Sequence, residues 1–284
     1  MPAPQPVTSL DGRLKMHDGH SIHQVGFGVY EMNDQETYDC VKWALEAGYR
    51  HIDTAEWYEN EAPTGKAIVD FMKTTGTLRD AIYLTSKLKN NSTYEQALSD
   101  LKGSLQRSGV DYFDCYMMHS AIGGPQVRKD VWKALCDAKE QGLVKSIGVS
   151  NFGKKHIQEF LDQKTPLPTV NQVDLHPFMR HPEIVEICED NNILLEAWGP
   201  LARGKKFDHP ILIKVAKEKR RDAAQIMLRW GLQHGFVVIP KSVSQKRIVS
   251  NADLFDFELS VEEMKELDGL DEYFVTDWDV VDCE

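Results

Sequence analysis

Four side chains that could take part in proton transfer lie at or shortly after the ends of apolar runs in the first half of the chain. Asp53 ends the run that begins at Tyr49, and Tyr58 follows it in a polar loop. Lys87 and His119 end the next two apolar runs. A tyrosine is a weak acid, but a nearby ammonium stabilises its phenolate and a carboxylate can hold that ammonium in place. A histidine can donate a hydrogen bond to an oxygen on which negative charge develops.

These residue types suit protonation of an oxygen during carbonyl reduction. The set contains no nucleophile of its own, so the hydride for such a reaction must come from a cofactor. Structural roles are the alternative: Asp53 could cap a following helix, Tyr58 could be a packed aromatic, and Lys87 or His119 could be solvated. Convergence of the four residues on one rim of a barrel would favour the catalytic interpretation.

Strand and helix patterns alternate along the chain. Residues 14–22 are typical of a hairpin with its turn at 17–20. Further strands are predicted to end near Gly28, Asp53, Lys87, His119, Ser150, Gln172, Trp198 and Lys241. Helices are predicted at Asp34–Ala47, Glu61–Lys73, Thr93–Ser108, Arg128–Gln141, Lys154–Leu161, Pro182–Asn191 and Ala223–Gln233. Eight strand–helix units predict an α/β fold, a (β/α)8 TIM barrel.

The barrel is predicted to form a single domain over residues 1–284, with an N-terminal hairpin at 1–23 and a C-terminal tail at 271–284. Two segments exceed eight regular units. Leu201–Lys219 adds a basic loop and a helix, and Ser244–Asp253 adds a helical turn. The tail lacks periodicity and is predicted to be a loop that covers another part of the molecule.

A doubly wound sheet is the alternative fold. Its dinucleotide-binding form requires G-x-G-x-x-G after the first strand. Here Gly26-Phe27-Gly28 is followed by Val29-Tyr30-Glu31, so the motif is incomplete.

Composition narrows the class of protein. A net charge of −11 over 284 residues argues against a surface for nucleic acid or for anionic membranes. The five cysteines are scattered without a C-x-x-C motif, which indicates a reduced protein without disulfides or a metal site. Met1–Pro6 lacks the features of a signal peptide, and no run approaches the roughly 18 apolar residues of a membrane span. These features predict a cytoplasmic protein.

A basic cluster follows the predicted eighth strand. Lys241, Lys246 and Arg247 lie where barrels often bind phosphate. Arginine can bind a phosphate through two hydrogen bonds, and a basic cluster in an acidic chain suggests an anionic ligand. A solvated basic turn is the alternative interpretation.

Three motifs, in order, resemble the signatures of the aldo-keto reductase superfamily. They are His51-Ile52-Asp53-Thr54-Ala55-x-x-Tyr58-x-Asn60-Glu61, Gly148-Val149-Ser150-Asn151-Phe152 and Ile239-Pro240-Lys241-Ser242. The resemblance extends from about Gly26 to Leu267. This family is a (β/α)8 barrel of NADPH-dependent reductases, so the resemblance implies an NADPH-dependent reductase of aldehydes or ketones, similar to fungal and microbial members.

The resemblance also implies roles for individual residues. Tyr58 would be the general acid, Lys87 and Asp53 would tune it, and His119 would orient the substrate. The implied cofactor-binding residues are Gly28, Ser150, Asn151, Gln172, Trp198, Leu201, Lys241, Ser242, Val243, Arg247 and Asn251. Among these, Ser150, Asn151 and Gln172 would hold the carboxamide, and Trp198 would stack on the nicotinamide. Lys241, Ser242 and Arg247 would bind the 2′-phosphate, with Asn251 at the adenine.

The chain departs from the family pattern at positions near the cofactor and near the substrate. Trp198-Gly199-Pro200 stands where many members have Tyr-Ser-Pro, Ser250 occupies a position that is often Glu, and Lys89 replaces a common pocket aromatic. His119-Ser120-Ala121 lacks the usual following proline or tryptophan, and the loop after His119 is short.

The substrate is predicted to be a small-molecule carbonyl compound. Tyr30, Trp57, His119 and Trp278 are the predicted pocket residues. Aromatic walls favour an apolar slot, whereas Lys89, Asp277 and Asp279 could instead receive the hydroxyls of an open-chain sugar. Small activated carbonyls, such as nitrobenzaldehyde and α-ketoesters, are predicted to be better substrates than aldoses.

Two rival functions remain open. A metal-dependent barrel hydrolase would use His51, Asp53, His119 and His176, but it would leave Lys87 and Tyr58 without a role. A non-catalytic NADPH-binding regulatory subunit could be built on the same barrel. No metal is predicted, and the resemblance favours a monomer or a weak homodimer.

Overall fold

An antiparallel hairpin covers the N-terminal end of a barrel in the computed structural model, which describes residues 7–284. Its strands are β1 (Arg13–Lys15) and β2 (Ser21–His23), with Leu14 opposite Ile22. Both of these side chains are buried in a cluster with Tyr83, at the start of a barrel strand. The hairpin prediction is confirmed. The prediction that Met1–Pro6 is no signal peptide lies outside the described residues.

Eight parallel strands form the barrel wall. They are β3 (Phe27–Gly28), β4 (His51–Asp53), β5 (Tyr83–Lys87), β6 (Phe113–Met118), β7 (Val144–Ser150), β8 (Val170–Asp174), β9 (Leu194–Trp198) and β10 (Val237–Val238). Each strand pairs with the next along the chain. A parallel bridge between Val25 and Val238 brings the first and last strands together, and the Gly26 N–H donates to the Val238 carbonyl at 2.8 Å. The (β/α)8 barrel prediction is confirmed.

Ten α-helices are found within residues 7–284, and most follow a strand. They are α1 (Asp34–Glu46), α2 (Glu61–Thr75), α3 (Tyr94–Ser108), α4 (Gly124–Glu140), α5 (Lys154–Gln163), α6 (Pro182–Asp190), α7 (Pro210–Lys219), α8 (Ala223–Gln233), α9 (Gln245–Ser250) and α10 (Val261–Asp268). The seven predicted helices correspond to α1–α6 and α8, while α7 and α9 lie in the two extra segments. That residues 1–284 form one domain stays a prediction.

Element boundaries differ from the predictions where proline or capping residues decide them. The fourth helix begins at Gly124 and not at Arg128, because Pro125 is tolerated in the first turn of a helix. The last strand ends at Val238, before Pro240, which has no N–H to donate to a neighbouring strand.

One further boundary and one helix were not predicted. The strand predicted to end near Gln172 continues to Asp174. Helix α10 was not predicted, although Ser260 and Glu263 form a capping box at its start. No helix within residues 7–284 is long and apolar enough to cross a bilayer.

Helix α2, which follows the Tyr58 loop, packs very closely against the C-terminal end of α3. A Cβ atom at Gly65 would lie 1.7 Å from the Ser108 carbonyl oxygen, so a side chain there would separate the two helices. Gly103, also within a helix, has only the end of the flexible Arg107 side chain nearby, at 3.1 Å.

Gly65→Ala is expected to lower the free energy of unfolding by about 1–3 kcal/mol, because the added methyl overpacks the contact between the helices. Gly103→Ala is the matched control and is expected to gain up to about 1 kcal/mol from helix propensity. Urea denaturation followed by circular dichroism measures both. Equal effects of the two substitutions would contradict the close contact.

Candidate active site

The four predicted proton-handling side chains meet at the C-terminal rim of the barrel. Asp53 ends β4, Lys87 ends β5, and His119 follows β6 directly. Tyr58 reaches the same place from a short 3-10 turn, Glu56–Tyr58. Parallel strands present their carboxyl ends at one face of a barrel, which explains why residues far apart in sequence converge.

Lys87 links the other members of this group. Its ammonium donates to the Asp53 carboxylate at 2.5 Å, to the Thr54 carbonyl at 3.1 Å and to the Tyr58 hydroxyl at 3.3 Å. Gln172 donates to the second Asp53 oxygen at 2.9 Å. Both members of the Lys87–Asp53 ion pair are buried. The cost of removing each charge from water is offset by the opposite charge and by these hydrogen bonds.

Burial and charge act in opposite directions on Lys87. Burial disfavours its ammonium, but attraction to Asp53 and Tyr58 outweighs that effect and raises the pKa of Lys87 above its usual range. Lys87 is therefore a permanent cation at neutral pH.

The pKa of Tyr58 corrects one expectation. The ammonium of Lys87 lowers this pKa, as expected, but burial acts more strongly and the net result is a rise to about 12. Tyr58 therefore keeps its proton throughout the neutral range, and Lys87 offsets only part of the cost of forming a phenolate in a buried position.

His119 is neutral in this environment. Burial, with a smaller contribution from the Lys87 charge, holds the pKa of His119 well below its usual range. Its ring lies 5.6 Å from the ring of Tyr58 between centroids, with the planes at 72°. A neutral imidazole has one N–H to donate, and both rings line the same cavity.

This cavity, of about 830 Å³, contains nearly all the predicted site residues. Its walls include the predicted cofactor-binding residues Gly28, Ser150, Asn151, Gln172, Trp198, Leu201, Lys241, Ser242, Val243, Arg247 and Asn251. Asp53, Tyr58 and His119 also line it, whereas Lys87 lies behind Tyr58 and does not.

Aromatic side chains border the cavity near Tyr58. The rings of Tyr30 and Tyr58 are 5.0 Å apart, Trp57 is 6.0 Å from His119, and Trp57 is 5.9 Å from Trp278. The structure thus brings all four predicted substrate-pocket residues to one wall. Trp278 belongs to the C-terminal tail, so the tail does cover the site.

A hydrogen-bonded group extends from His119 towards Trp198. Asn151 donates to the His119 carbonyl at 3.0 Å and accepts from the Trp198 indole N–H at 2.8 Å. Ser150 donates to the Gln172 carbonyl at 2.9 Å. These polar side chains lie along one side of the cavity, next to the indole of Trp198.

Two basic side chains line the cavity. Lys241 and Arg247 are exposed and line it, and neither forms a salt bridge with a carboxylate in the part of the chain that the structure describes. Arg247 donates to the Ser242 hydroxyl at 3.2 Å. Lys246, the third cation of the sequence cluster, does not line the cavity. Lys241 donates only to the Glu31 carbonyl, at 3.5 Å, in the described part of the chain. Two cations without a carboxylate partner beside a hydroxyl form a suitable site for a phosphate.

Sequence reasoning missed a cross-link above the cavity. Arg203 pairs with Glu31, and also with Asp277 of the tail at 3.1 Å. The basic segment containing Arg203 was recognised, but its partners are distant in sequence and gave no local signal.

A second contact fixes the tail to β8. Asp174 accepts hydrogen bonds from the Thr276 hydroxyl at 2.7 Å and from its N–H at 3.2 Å. Because Thr276 precedes Trp278 by two residues, this contact places the indole over the cavity.

Lys89 does not lie in the substrate pocket, where the sequence had suggested it. It donates to Glu59 at 3.2 Å and does not line the cavity. The metal-site alternative finds no support in the geometry, because His51 faces Thr85 and His176 lies 3.3 Å from Asp174. Within residues 7–284, no group of three or more His, Cys, Asp or Glu side chains is arranged to hold a metal ion.

Known proteins share both the sequence and the fold. The sequence profile of the Aldo/keto reductase family matches residues 23–272. An uncharacterized oxidoreductase of Schizosaccharomyces pombe is 44% identical over 270 residues, covering 95% of this chain and 97% of its own. A glyoxal reductase of Bacillus subtilis is 41% identical over 265 residues, covering 93% of this chain and 94% of its own.

A solved structure of an aldo-keto reductase has the same fold. The crystal structure of a Bombyx mori aldo-keto reductase in complex with NADP superimposes with a TM-score of 0.89 at 30% identity, covering 96% of each chain. The chain therefore belongs to the aldo/keto reductase family of oxidoreductases, and the resemblance seen in its motifs is confirmed.

Lys87→Met is expected to lower the free energy of unfolding by about 3–5 kcal/mol, because it leaves the Asp53 carboxylate buried without its counter-ion. Adding Asp53→Asn to the same protein should recover part of the loss, since the second substitution removes the unpaired charge. Thermal and chemical denaturation of the two single variants and the double variant measure this coupling. Strictly additive losses would contradict it.

Proposed function

We propose that this protein reduces aldehydes or ketones to alcohols with NADPH and that Tyr58 donates the proton. The observation that carries the proposal is the chain of contacts from Asp53 through Lys87 to the Tyr58 hydroxyl, at 2.5 and 3.3 Å. Tyr58 lines a cavity that also contains Lys241 and Arg247, and neither of these cations pairs with a carboxylate among residues 7–284.

The residues of the rim have complementary tasks in this reaction. NADPH, when bound, supplies the hydride. Tyr58 gives its proton to the substrate oxygen, on which negative charge develops as the carbonyl is reduced. The fixed cation of Lys87 stabilises the resulting phenolate, and Asp53 holds Lys87 in position by its short ion pair.

His119 orients the carbonyl group. Because burial keeps its imidazole neutral, His119 offers a single N–H to the substrate oxygen and does not compete with Tyr58 as the acid. The rings of Trp57 and Trp278 cover part of the same space, and a bound substrate beneath them would displace water and strengthen these electrostatic contacts.

The residues along the cavity suit NADP(H). Lys241 and Arg247 provide two charges for the 2′-phosphate beside the Ser242 hydroxyl, and Asn251 would lie at the adenine. Trp198 provides a flat apolar face for the nicotinamide, with Asn151 and Gln172 as amide partners nearby. The related Bombyx mori enzyme, solved with NADP, supports this assignment.

The substrate class is small activated carbonyl compounds. The polar groups that could have received sugar hydroxyls are engaged elsewhere: Lys89 with Glu59, Asp277 with Arg203, and Asp279 with the Tyr273 hydroxyl. The pocket that remains is aromatic and suits a short dicarbonyl, an aromatic aldehyde or an α-ketoester better than an aldose. The related glyoxal reductase supports this class.

A non-catalytic NADPH-binding subunit is distinguished from an enzyme by turnover alone. The complete set of proton-handling residues favours the enzyme. A monomer or weak homodimer in the cytoplasm stays a prediction from the sequence.

Tyr58→Phe is expected to lower kcat about 10²–10⁴-fold while NADPH still binds, because only the proton donor is removed. The assay follows NADPH consumption at a fixed wavelength with glyoxal, nitrobenzaldehyde, an α-ketoester and xylose. Tyr38→Phe, which removes a hydroxyl from α1 outside the cavity, is the matched control and should keep wild-type turnover. Turnover of Tyr58→Phe near the wild-type level would refute the mechanism.

Lys241→Ala combined with Arg247→Ala is expected to weaken NADPH binding by about tenfold or more per residue, since a charge-assisted contact contributes roughly 1.5–3 kcal/mol. NADH, which lacks the 2′-phosphate, should be affected much less. Lys246→Ala removes a neighbouring cation that does not line the cavity and serves as the control. Fluorescence titration with both cofactors measures the effect; equal losses for NADPH and NADH would rule out recognition of the 2′-phosphate.

A further inference from the structure

A second polar layer lies inside the barrel, one step deeper than the catalytic rim. His51 precedes Asp53 by two residues on β4, and Thr85 precedes Lys87 by two residues on β5, so each pair shares the inner face of its strand. The His51 ring reaches Thr85 at 3.3 Å and the carboxyl group of Glu196, on β9, at 3.6 Å. Barrel interiors are mostly filled with branched apolar side chains, so a carboxyl group there is unusual.

Glu196 is completely buried, and neither of its carboxyl oxygens has a hydrogen-bond partner among residues 7–284. Asp53, in contrast, accepts hydrogen bonds from Lys87 and Gln172. When two neighbouring buried carboxyl groups share one negative charge, the charge resides on the group with the donors. The hydrogen bonds to Asp53 therefore favour the charge on Asp53 and the proton on Glu196.

Burial, followed by the charge of Asp53, raises the pKa of Glu196 to about 8, although Lys87 opposes this shift. Burial also raises the pKa of Asp53, although the charge of Lys87 and the hydrogen bonds from Lys87 and Gln172 oppose that shift. The remaining titratable groups that face this layer change little between about pH 6 and pH 9. Burial lowers the pKa of His51 to about 3, so its imidazole is already neutral. Burial raises the pKa values of Tyr83 and Cys115 well above their usual ranges, and Lys87 stays charged.

We propose that Glu196 is a positioning residue that acts on Tyr58 through Lys87. As a neutral acid, it leaves the Lys87 cation free to stabilise the phenolate that forms at Tyr58. As an anion, it places a second negative charge near Lys87 and opposes the phenolate. This role rests on the proposed carbonyl reduction, and it makes the rate of reduction fall when Glu196 ionises, well before Tyr58 or Lys87 titrates.

Glu196→Gln tests the role, because glutamine has nearly the same shape and stays neutral at every pH. The rate of a single turnover with NADPH and glyoxal is measured from about pH 6 to about pH 10. The wild-type rate should fall about tenfold per pH unit above the ionisation of Glu196. In the variant, this fall should begin at least about one pH unit higher. The change should appear in the maximal single-turnover rate more than in the glyoxal concentration that gives half of that rate.

Two further variants control the experiment. Glu196→Leu, which is also uncharged and similar in size, should move the alkaline fall in the same direction even if the glutamine variant is poorly folded. Glu218→Gln removes an exposed carboxylate from α7 and should leave the profile unchanged. An alkaline fall that does not move in either Glu196 variant would overturn the role.

A second measurement needs neither substrate nor cofactor. Glu196 ionises at a lower pH in the unfolded chain than in the folded one, so the folded state binds more protons between about pH 5 and pH 8, and wild-type stability decreases over this range. Glu196→Gln lacks this contribution. The melting temperature of the variant minus that of the wild type should therefore increase by several degrees from about pH 5 to about pH 8.

The outcomes separate the two proposals. A temperature difference that stays constant with pH would show that Glu196 is not held protonated and would overturn the role. If the difference grows but the alkaline fall is unmoved, the acid is neutral but does not act on Tyr58, and the role is again refuted. Absence of wild-type turnover would refute the proposed reductase, and with it any part that Glu196 plays.

Discussion

The buried ion pair between Lys87 and Asp53 is the interaction on which the site depends. Removing two charges from water is costly, and the cost is met only when the geometry is good and the remaining polar atoms are hydrogen-bonded. Here the Thr54 carbonyl, the Tyr58 hydroxyl and Gln172 supply those bonds. The ion pair and these partners lie on three strands or their loops, β4, β5 and β8, so the pair links the fold directly to the acidity of Tyr58.

The rest of the structure covers this ion pair and holds Tyr58, on which the pair acts, beside the cavity. Strand ends provide the rim, aromatic rings cover it, and the tail is held by the contact between Thr276 and Asp174. Arg203 links the tail to the loop after β3, which contains Glu31. The cavity combines aromatic rings near Tyr58 with the cations of Lys241 and Arg247, and this combination suits an anionic cofactor beside a small substrate.

Much of this arrangement could be predicted from the sequence, because strand periodicity, glycine positions and three local motifs each act over a few residues. Contacts between distant segments could not. The pairing of Arg203 with Asp277, and of Lys89 with Glu59, depends on how loops meet in space. The rise in the pKa of Tyr58 likewise depends on burial, which no local pattern reveals. Glu196 did carry a signal: it is a charged residue in an otherwise apolar strand.

The most direct test of the account is the single-turnover transfer of deuterium from deuterated NADPH to glyoxal, followed by mass spectrometry in the wild type and in Lys87→Met. The account predicts an alcohol product that carries deuterium on carbon. It also predicts transfer at least about a hundredfold slower in the variant, because the phenolate of Tyr58 loses its cation. A product without deuterium, or equal rates in a folded variant, would contradict it.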